Sequence, residues 1–146
     1  MTIRCEIVSQ DRMVFEGDVD IVVLPGSDGE MGILPHHAPL LTTLQYGIIK
    51  VRAKSEEYLF TVAGGLAEIQ PDIVTVLADA AENVEEIDVA RAEAARLKAE
   101  EALGKVSSTQ DADAYENLEV ALHRSNLRLE AVKRYRSTKR FPSNEG

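Results

Sequence analysis

Two groups of side chains in this sequence have the types and spacing that chemistry requires: a histidine pair and a set of cations. His36 and His37 could bind a metal, but no Cys, Asp or third His lies at ligand spacing. Adjacent residues on an extended chain also point in opposite directions, so we predict no metal site. Serine nucleophile motifs, Walker-type loops and dinucleotide fingerprints are absent. Gly64-Gly65 opens no helix, which favours close packing over a phosphate cradle. The sequence therefore predicts no catalytic site.

Four cations fall at helical spacing in the C-terminal half. Arg124 and Arg128 are i, i+4, and Arg91 and Lys98 are i, i+7, so each pair shares one helix face. If the two faces meet, a polyphosphate would relieve the crowded positive charge, because arginine binds phosphate in a planar, bidentate manner. The alternative is that these cations are solvated or ion-paired at the surface. The acidic residues available for such pairing are Glu101, Glu119 and Glu130.

Up to about residue 84 the apolar residues follow a period of two, which is typical of strands. The alternating runs are Ile3–Ile7, Val19–Val23, Tyr58–Val62 and Ile73–Leu77. Clusters of glycine, proline and aspartate separate these runs, and we interpret Gly47 and Gly64-Gly65 as two such turns. Short strands at this spacing predict a small antiparallel sandwich or barrel, and about 80 residues can close one modest core.

Beyond residue 79 the composition shifts to Ala, Glu, Arg and Leu, which favours helices. Asp88 is a suitable N-cap for a first helix, and Gly104 is a suitable stop. A second helix is expected from about Ala112 to Tyr135 or beyond. Before it, Ser108 followed by Asp111 resembles a capping box.

Each predicted helix carries a narrow stripe that could face the other helix. The first stripe is Ala92, Ala95, Ala99 and Ala102, and the second is Leu118, Leu122, Ser125, Leu129 and Val132. Two such stripes joined by a short loop predict an antiparallel helical hairpin. Because the interface buries little apolar area, it contributes little stability, and the hairpin could open.

The charge of the chain is unevenly distributed. Residues 1–120 hold 9 Lys+Arg and 23 Asp+Glu, a net of −14, whereas residues 121–146 hold 7 and 2, a net of +5. The basic end indicates an acidic partner, while the acidic body disfavours nucleic acid. The N-terminus shows no signal pattern, and no apolar run could span a bilayer. The single cysteine, Cys5, alternates with Ile3 and Ile7, so we expect a buried thiol.

The segment Gly29–Leu41 packs two glycines, two prolines and the histidine pair into thirteen residues, and Thr42–Gly47 follows it. It predicts a turn, a very short strand, a rigid corner and a strand starting near Leu40. This string resembles the G-E-x-G-I-x-P-x-H-A-P-L-L-T segment of the ε subunits of bacterial F-type ATP synthases. Val62–Ile69 and Val74–Glu82 also resemble segments of that family, so the likeness extends to about residue 136.

This resemblance implies an N-terminal antiparallel β-sandwich over residues 1–84 and a two-helix hairpin over 85–140. The tail over 141–146 lies beyond the likeness, and we expect it to be disordered. It further implies a non-catalytic central-stalk rotor subunit, peripheral on the cytoplasmic side of a bacterial membrane. The sandwich is expected to bind the γ subunit and the c-ring, with Glu30 and His37 at that interface. The hairpin is expected to reach the α and β subunits and inhibit ATP hydrolysis.

Some ε subunits bind ATP as a regulatory ligand, and no other cofactor is implied. Their I-D-x-x-R-A motif stands here as Ile87–Ala92, and the acidic residue before it is Glu82. By resemblance, Glu82, Ile87 and Asp88 would contact adenine, with Asp88 also orienting Arg91. Arg91, Arg124 and Arg128 would hold the phosphates. Lys98 stands where ATP-binding members have arginine, which keeps the charge but loses the fork geometry.

The sequence leaves open two hypotheses that assign the chain to other classes of protein. A free-standing nucleotide-binding module or small nucleotide-using enzyme would use the same arginines without γ or c-ring partners. A basic-tailed nucleic-acid binder would show steeply salt-dependent binding to DNA, against the repulsion of the acidic body.

Overall fold

The computed structural model describes residues 1–106 and 110–140, with side chains up to residue 134. The chain divides into two compact units, Met1–Glu85 and Glu86–Gly146. The first is built of strands and the second holds two helices, which confirms the predicted fold class. The predicted tail over 141–146 and the Ser108 half of the capping box lie outside the described residues.

Eight strands form the first unit. They are β1 Ile3–Val8, β2 Met13–Val19, β3 Ile21–Gly26, β4 Gly29–Ile33, β5 Leu40–Ala53, β6 Glu56–Ile69, β7 Ile73–Ala78 and β8 Ala81–Asn83. Hydrogen bonding orders them β2-β1-β7-β6-β5-β3-β4, and β8 pairs with β6. β1 and β7 run parallel, whereas the other described pairs are antiparallel. The predicted short strand and rigid corner before Leu40 are confirmed as β4 and the loop that follows it.

The interpretation of Gly47 and Gly64-Gly65 as turns is wrong, because both lie inside 14-residue strands. β6 instead bends at its two glycines, whose φ angles are +84° and +133°. A Cβ on Gly65 would lie 2.3 Å from the carbonyl oxygen of Leu77 and 2.8 Å from Cα of Ala78. The glycine pair thus allows β6 to change neighbours, from β8 to β7, at a very close backbone approach.

The core of the first unit is apolar and continuous. Alternate residues of each strand point into it, among them Ile3, Cys5 and Ile7 of β1 and the fully buried Phe60 of β6. Phe15 packs at its margin, with ring centroids 5.5 Å from Phe60. Cys5 is a buried thiol, as predicted, and burial raises its pKa from 9.0 to about 12.

The second unit contains α1, Val89–Leu103, and α2, Ala112–Arg140, after a short 3-10 turn at Val84–Glu86. The carboxylate of Asp88 caps α1 by accepting the backbone N–H of Arg91 at 3.1 Å. Asp111 caps α2 in the same way, through the backbone N–H of Ala114 at 3.1 Å. Neither helix, over the residues described, has the length and hydrophobicity needed to cross a membrane.

The two helices pack on each other along a seam that differs in part from the prediction. The α2 stripe is confirmed, since its members are buried or half-buried, and the Ser125 hydroxyl donates to the carbonyl of Ala121 at 3.0 Å. On α1, Ala92 and Ala99 are buried but Ala95 is exposed. The seam continues through the half-buried Arg96 and Leu103, at 4-3-4 spacing, and the predicted Ala102 beside Leu103 is half-buried as well. Position 95 lies about 70° around the helix axis from the centre of that line.

Candidate functional site

The seam determines where three of the predicted cations lie. Arg91, Lys98 and Arg124 each immediately precede a buried seam residue of their own helix. One residue turns about 100° around a helix axis, and in an antiparallel pair the residue before the seam lies on the same side of both helices. All three cations therefore lie on one side of the hairpin. Arg128 follows one turn after Arg124 on α2 and is half-buried.

The acidic residues considered as surface partners do not hold these cations. Among the ion pairs within the described residues, none joins Arg91, Lys98 or Arg124 to a carboxylate. Their positive charge is thus available to an anion on that side of the hairpin.

The residues predicted to contact adenine are divided between the two units. Ile87 and Asp88 precede α1 in the second unit, where Ile87 is half-buried and Asp88 exposed. Glu82 belongs to β8 of the first unit and pairs with Thr61 of β6. Asp88 holds Arg91 through its backbone N–H and so sets the start of the helix that carries the guanidinium.

Arg96 is a fourth arginine of the hairpin, and it is already engaged. Its guanidinium donates to Glu93 at 3.0 Å and to Glu100 at 2.9 Å, both on α1. The hydrogen bond and charge of Glu93, followed by the charge of Glu100, raise the pKa of Arg96 above its usual value. Its side chain is 27% exposed and lies in the seam. Arg96 is thus unsuited to hold a phosphate.

A groove of about 500 Å³ lies between the C-terminal end of α1 and the N-terminal half of α2. It is lined by Leu103, Tyr115, Glu116, Glu119, Val120, Leu122, His123 and Asn126. Two carboxylates make it unfavourable for a polyphosphate, and it contains none of the predicted ATP residues. The cationic side of the hairpin is therefore a better candidate for a polyphosphate site than this groove. Within residues 1–106 and 110–140 no cluster of three or more His, Cys, Asp or Glu side chains could hold a metal.

Glu30 and His37, predicted at a subunit interface, lie on β4 and on the loop between β4 and β5, respectively. Glu30 is exposed on the edge strand β4, opposite Pro25 of β3. His37 is half-buried, and its Nδ1 is 2.7 Å from the carbonyl oxygen of Ala38. The preceding residue, His36, has a φ of +68°, and its N–H donates to the carbonyl of Pro71 at 2.8 Å. This bond ties the corner loop to the β6–β7 turn.

An apolar row on the outer face of the sheet was missed by the sequence reasoning. Strand register places Met13, Val8, Leu77 and Leu66 side by side across β2, β1, β7 and β6. Leu66 is 43% exposed, Met13 46% and Leu77 55%. A row of large apolar side chains on a solvent-facing sheet indicates a protein contact surface.

The next row on the same face, two residues along β1, β7 and β6, is mostly polar. It runs Glu16, Glu6, Thr75, Glu68 and Leu41 across β2, β1, β7, β6 and β5. We call these two rows together the outer face of the sandwich. The sequence does contain a sign of this face. In Ile73–Leu77 every residue except Thr75 is apolar, so apolar side chains point to both faces of the strand. Only the strand register shows that these residues line up.

Comparison with known proteins agrees with the fold and with the motifs. The family described as ATP synthase, Delta/Epsilon chain, beta-sandwich domain matches residues 2–84, and the corresponding long alpha-helix domain matches residues 85–133. An ATP synthase epsilon chain of Dehalococcoides mccartyi is 44% identical over 140 residues, 92% of this chain and 94% of that protein. One of Pelotomaculum thermopropionicum is 53% identical over 104 residues, 71% of this chain and 78% of that protein.

A solved structure of similar fold comes from the mitochondrial ATP synthase of Euglena gracilis. The TM-score is 0.69 at 22% identity, covering 84% of this chain and 76% of that one. The two domain matches together account for residues 2–133, in the order expected for a single subunit. With relatives above 40% identity over most of its length, this chain belongs to the epsilon chain family of ATP synthase subunits and is not a catalytic subunit.

Proposed function

We propose that this chain is a rotor subunit in the central stalk of a proton-translocating F-type ATP synthase, where it helps couple rotation to ATP synthesis. Its sandwich attaches to the γ subunit and the c-ring, and its hairpin regulates ATP hydrolysis. The complex is bacterial, and this subunit is peripheral, on the cytoplasmic side of the membrane. The observation that carries the proposal is the outer face of the sandwich, which offers a broad attachment surface.

The apolar row supports attachment because a partner that covers its half-exposed leucines removes their apolar surface from water, which stabilises the complex. Fully burying a leucine side chain contributes about 1.5–3 kcal/mol, so covering the exposed halves of Leu66 and Leu77 contributes about 1 kcal/mol each. Four neighbouring strands present a row roughly 15 Å across, at about 4.8 Å per strand. A surface of that width suits a folded subunit, for which we propose γ. Glu30 and the His37 corner are proposed to contact γ and the c-ring.

The attachment is tested by replacing the apolar row with polar residues. We expect the double variant Leu66→Ser, Leu77→Ser to bind the ATP synthase catalytic complex, stripped of its own copy of this chain, about thirtyfold more weakly. Leu97→Ser on α1 is the matched control, since Leu97 is 49% exposed but lies in the hairpin. Equal binding by both variants and the unchanged chain, measured by co-sedimentation over a concentration series, would overturn the proposed attachment.

For the hairpin we propose a switch between two arrangements. When folded it permits turnover, and when extended its basic C-terminal part reaches acidic segments of the α and β subunits and blocks ATP hydrolysis. The +5 net charge of residues 121–146 supports that contact. The α1 side of the seam supports ready opening, because it buries alanines and has the charged Arg96 in its middle.

We further propose that ATP binds the folded hairpin as a regulatory ligand. Arg91, Arg124 and Arg128 would hold the phosphates, assisted by Lys98, while Glu82, Ile87 and Asp88 contact adenine. The shared side of Arg91, Lys98 and Arg124, and their lack of carboxylate partners among the described residues, support this assignment. A ligand that binds only the folded arrangement favours it by mass action, so inhibition would engage when ATP is scarce.

A further inference from the structure

We infer that the partner surface covering the outer face of the sandwich places one cationic side chain against Glu68, and that this pair fixes the orientation of attachment. The inference rests on the proposed attachment through that face. The inference adds that the partner must contribute a positive charge, and that Glu68 is the residue that binds it.

Glu68 lies on β6, in the polar row of the outer face. Its direct neighbours across the sheet are Leu41 of β5 and Thr75 of β7, and Leu66 of the apolar row is two residues away on β6. Leu41 is itself 66% exposed. A partner that covers Leu66 and Leu41 therefore also covers the carboxylate between them.

The other two carboxylates of this face are already engaged. Arg4 donates to Glu16 at 3.0 Å, and its Nε lies 3.6 Å from Glu6. Among the described residues, the side-chain carboxylate of Glu68 takes part in no ion pair or hydrogen bond. It is thus the one carboxylate of the face whose charge is left for a partner to match.

Covering an unmatched carboxylate is unfavourable, because the group loses water without gaining a hydrogen bond or an opposite charge. A cationic side chain from the partner avoids that cost and forms a charge-assisted hydrogen bond at the margin of an apolar contact. The first unit as a whole attracts such a partner, since residues 1–85 hold 5 Lys+Arg against 14 Asp+Glu, a net of −9.

The position of Glu68 also explains why one charge can set orientation. The apolar row is a nearly uniform stripe, and a complementary apolar ridge could rest on it in more than one position. The Glu68 carboxylate lies beside this stripe, so only one of those positions places it against the cation of the partner. In the other positions the carboxylate has no opposite charge.

The test measures rebinding of the full chain to the ATP synthase catalytic complex stripped of its own copy, over a series of salt concentrations. We expect Glu68→Gln to weaken association about tenfold at low salt, with a smaller loss at high salt, and Glu68→Lys to weaken it about a hundredfold or more. Glu101→Gln, which removes the same charge from an exposed position on α1, should change binding by less than about twofold. Because Glu68 is exposed, thermal unfolding of all three variants should match that of the unchanged chain.

The outcomes separate this inference from the attachment on which it rests. Weakening by Leu66→Ser, Leu77→Ser together with unchanged binding of Glu68→Lys would retain the attachment and refute the role of Glu68. A salt-independent loss in Glu68→Gln would also refute it, since a charge pair must weaken with screening. If neither the leucine nor the glutamate variants alter binding, the attachment face itself is wrong.

Discussion

Replacement of Arg124 by alanine is the sharpest test of the proposed ATP site. Arg124 is exposed, lies on the same side of the hairpin as Arg91 and Lys98, and has no carboxylate partner among the described residues. Its removal therefore breaks no described ion pair. Any loss of ATP affinity can then be assigned to the ligand contact rather than to a weakened hairpin.

The expected size of the loss follows from the exposure of the side chain. A hydrogen bond to a charged group contributes about 1.5–3 kcal/mol, and an exposed guanidinium belongs at the lower end because water screens it. About 1.5 kcal/mol corresponds to roughly a tenfold weaker dissociation constant. We expect calorimetric titration of ATP into the isolated chain to show saturable binding that Arg124→Ala weakens by that factor.

Arg96→Gln is the matched control, because it removes the same charge from the same hairpin. The Arg96 guanidinium is held by Glu93 and Glu100, so its loss should change ATP affinity by less than about threefold. An equal loss in both variants would show that only the summed charge of the hairpin matters. Absence of binding at millimolar ATP would remove the sensor but not the rotor assignment, and Lys98 would be the first residue to replace with arginine.

Three further predictions address the hairpin, the bend and the core. Deletion of residues 88–146 should leave assembly of the complex intact and raise its ATP hydrolysis; unchanged hydrolysis, in enzyme freed of bound MgADP, would count against the switch. Gly65→Ala should destabilise the chain in urea by about 4 kcal/mol or more, because its Cβ would lie 2.3 Å from a carbonyl oxygen, whereas Gly17→Ala, whose Cβ meets Phe15 at 3.6 Å, should change stability by less than about 1 kcal/mol. Burial raises the pKa of Cys5 from 9.0 to about 12, so above pH 9 the unfolded state loses a proton that the folded state keeps. The free energy of unfolding is therefore unaffected by this thiol below pH 9 and decreases as the pH rises from 9 towards 12. Between pH 8 and pH 10.5 the unchanged chain should therefore lose about 2 kcal/mol more than Cys5→Ala does, and equal losses would contradict a protected thiol.

The sequence predicts this fold well wherever the signal is local. Alternation gave the strand regions, and Asp88 and Gly104 bound α1 as expected. The sequence did not reveal that Gly64-Gly65 continues a strand, because a glycine pair has the same appearance in a turn and in a bend. It also could not predict the parallel pairing of β1 with β7, since those strands are distant in the chain. The three-residue strand β8 is too short to show any periodicity.

The sites follow the same division. Spacing alone placed each pair of cations on one face of its own helix. The α1 stripe, however, was misassigned at Ala95, because alanines of equal size do not show which of them are buried. The carboxylates that hold Arg96 lie three and four residues away, at the spacing that sequence reasoning can identify. The outer face required the register of five strands, which no single segment encodes.

The two units differ in the kind of stability they have, and that difference suits the two proposed tasks. The sandwich is held by fully buried Phe60 and branched aliphatic residues, each contributing about 1.5–3 kcal/mol. A core of that kind resists deformation, which is what transmission of torque through the proposed attachment face requires. The α1 side of the seam buries alanines such as Ala92 and Ala99, at about 0.8 kcal/mol for each methyl group. Separating the helices therefore costs far less than unfolding the sandwich, so binding of an anion on the cationic side could decide which arrangement of the hairpin is populated.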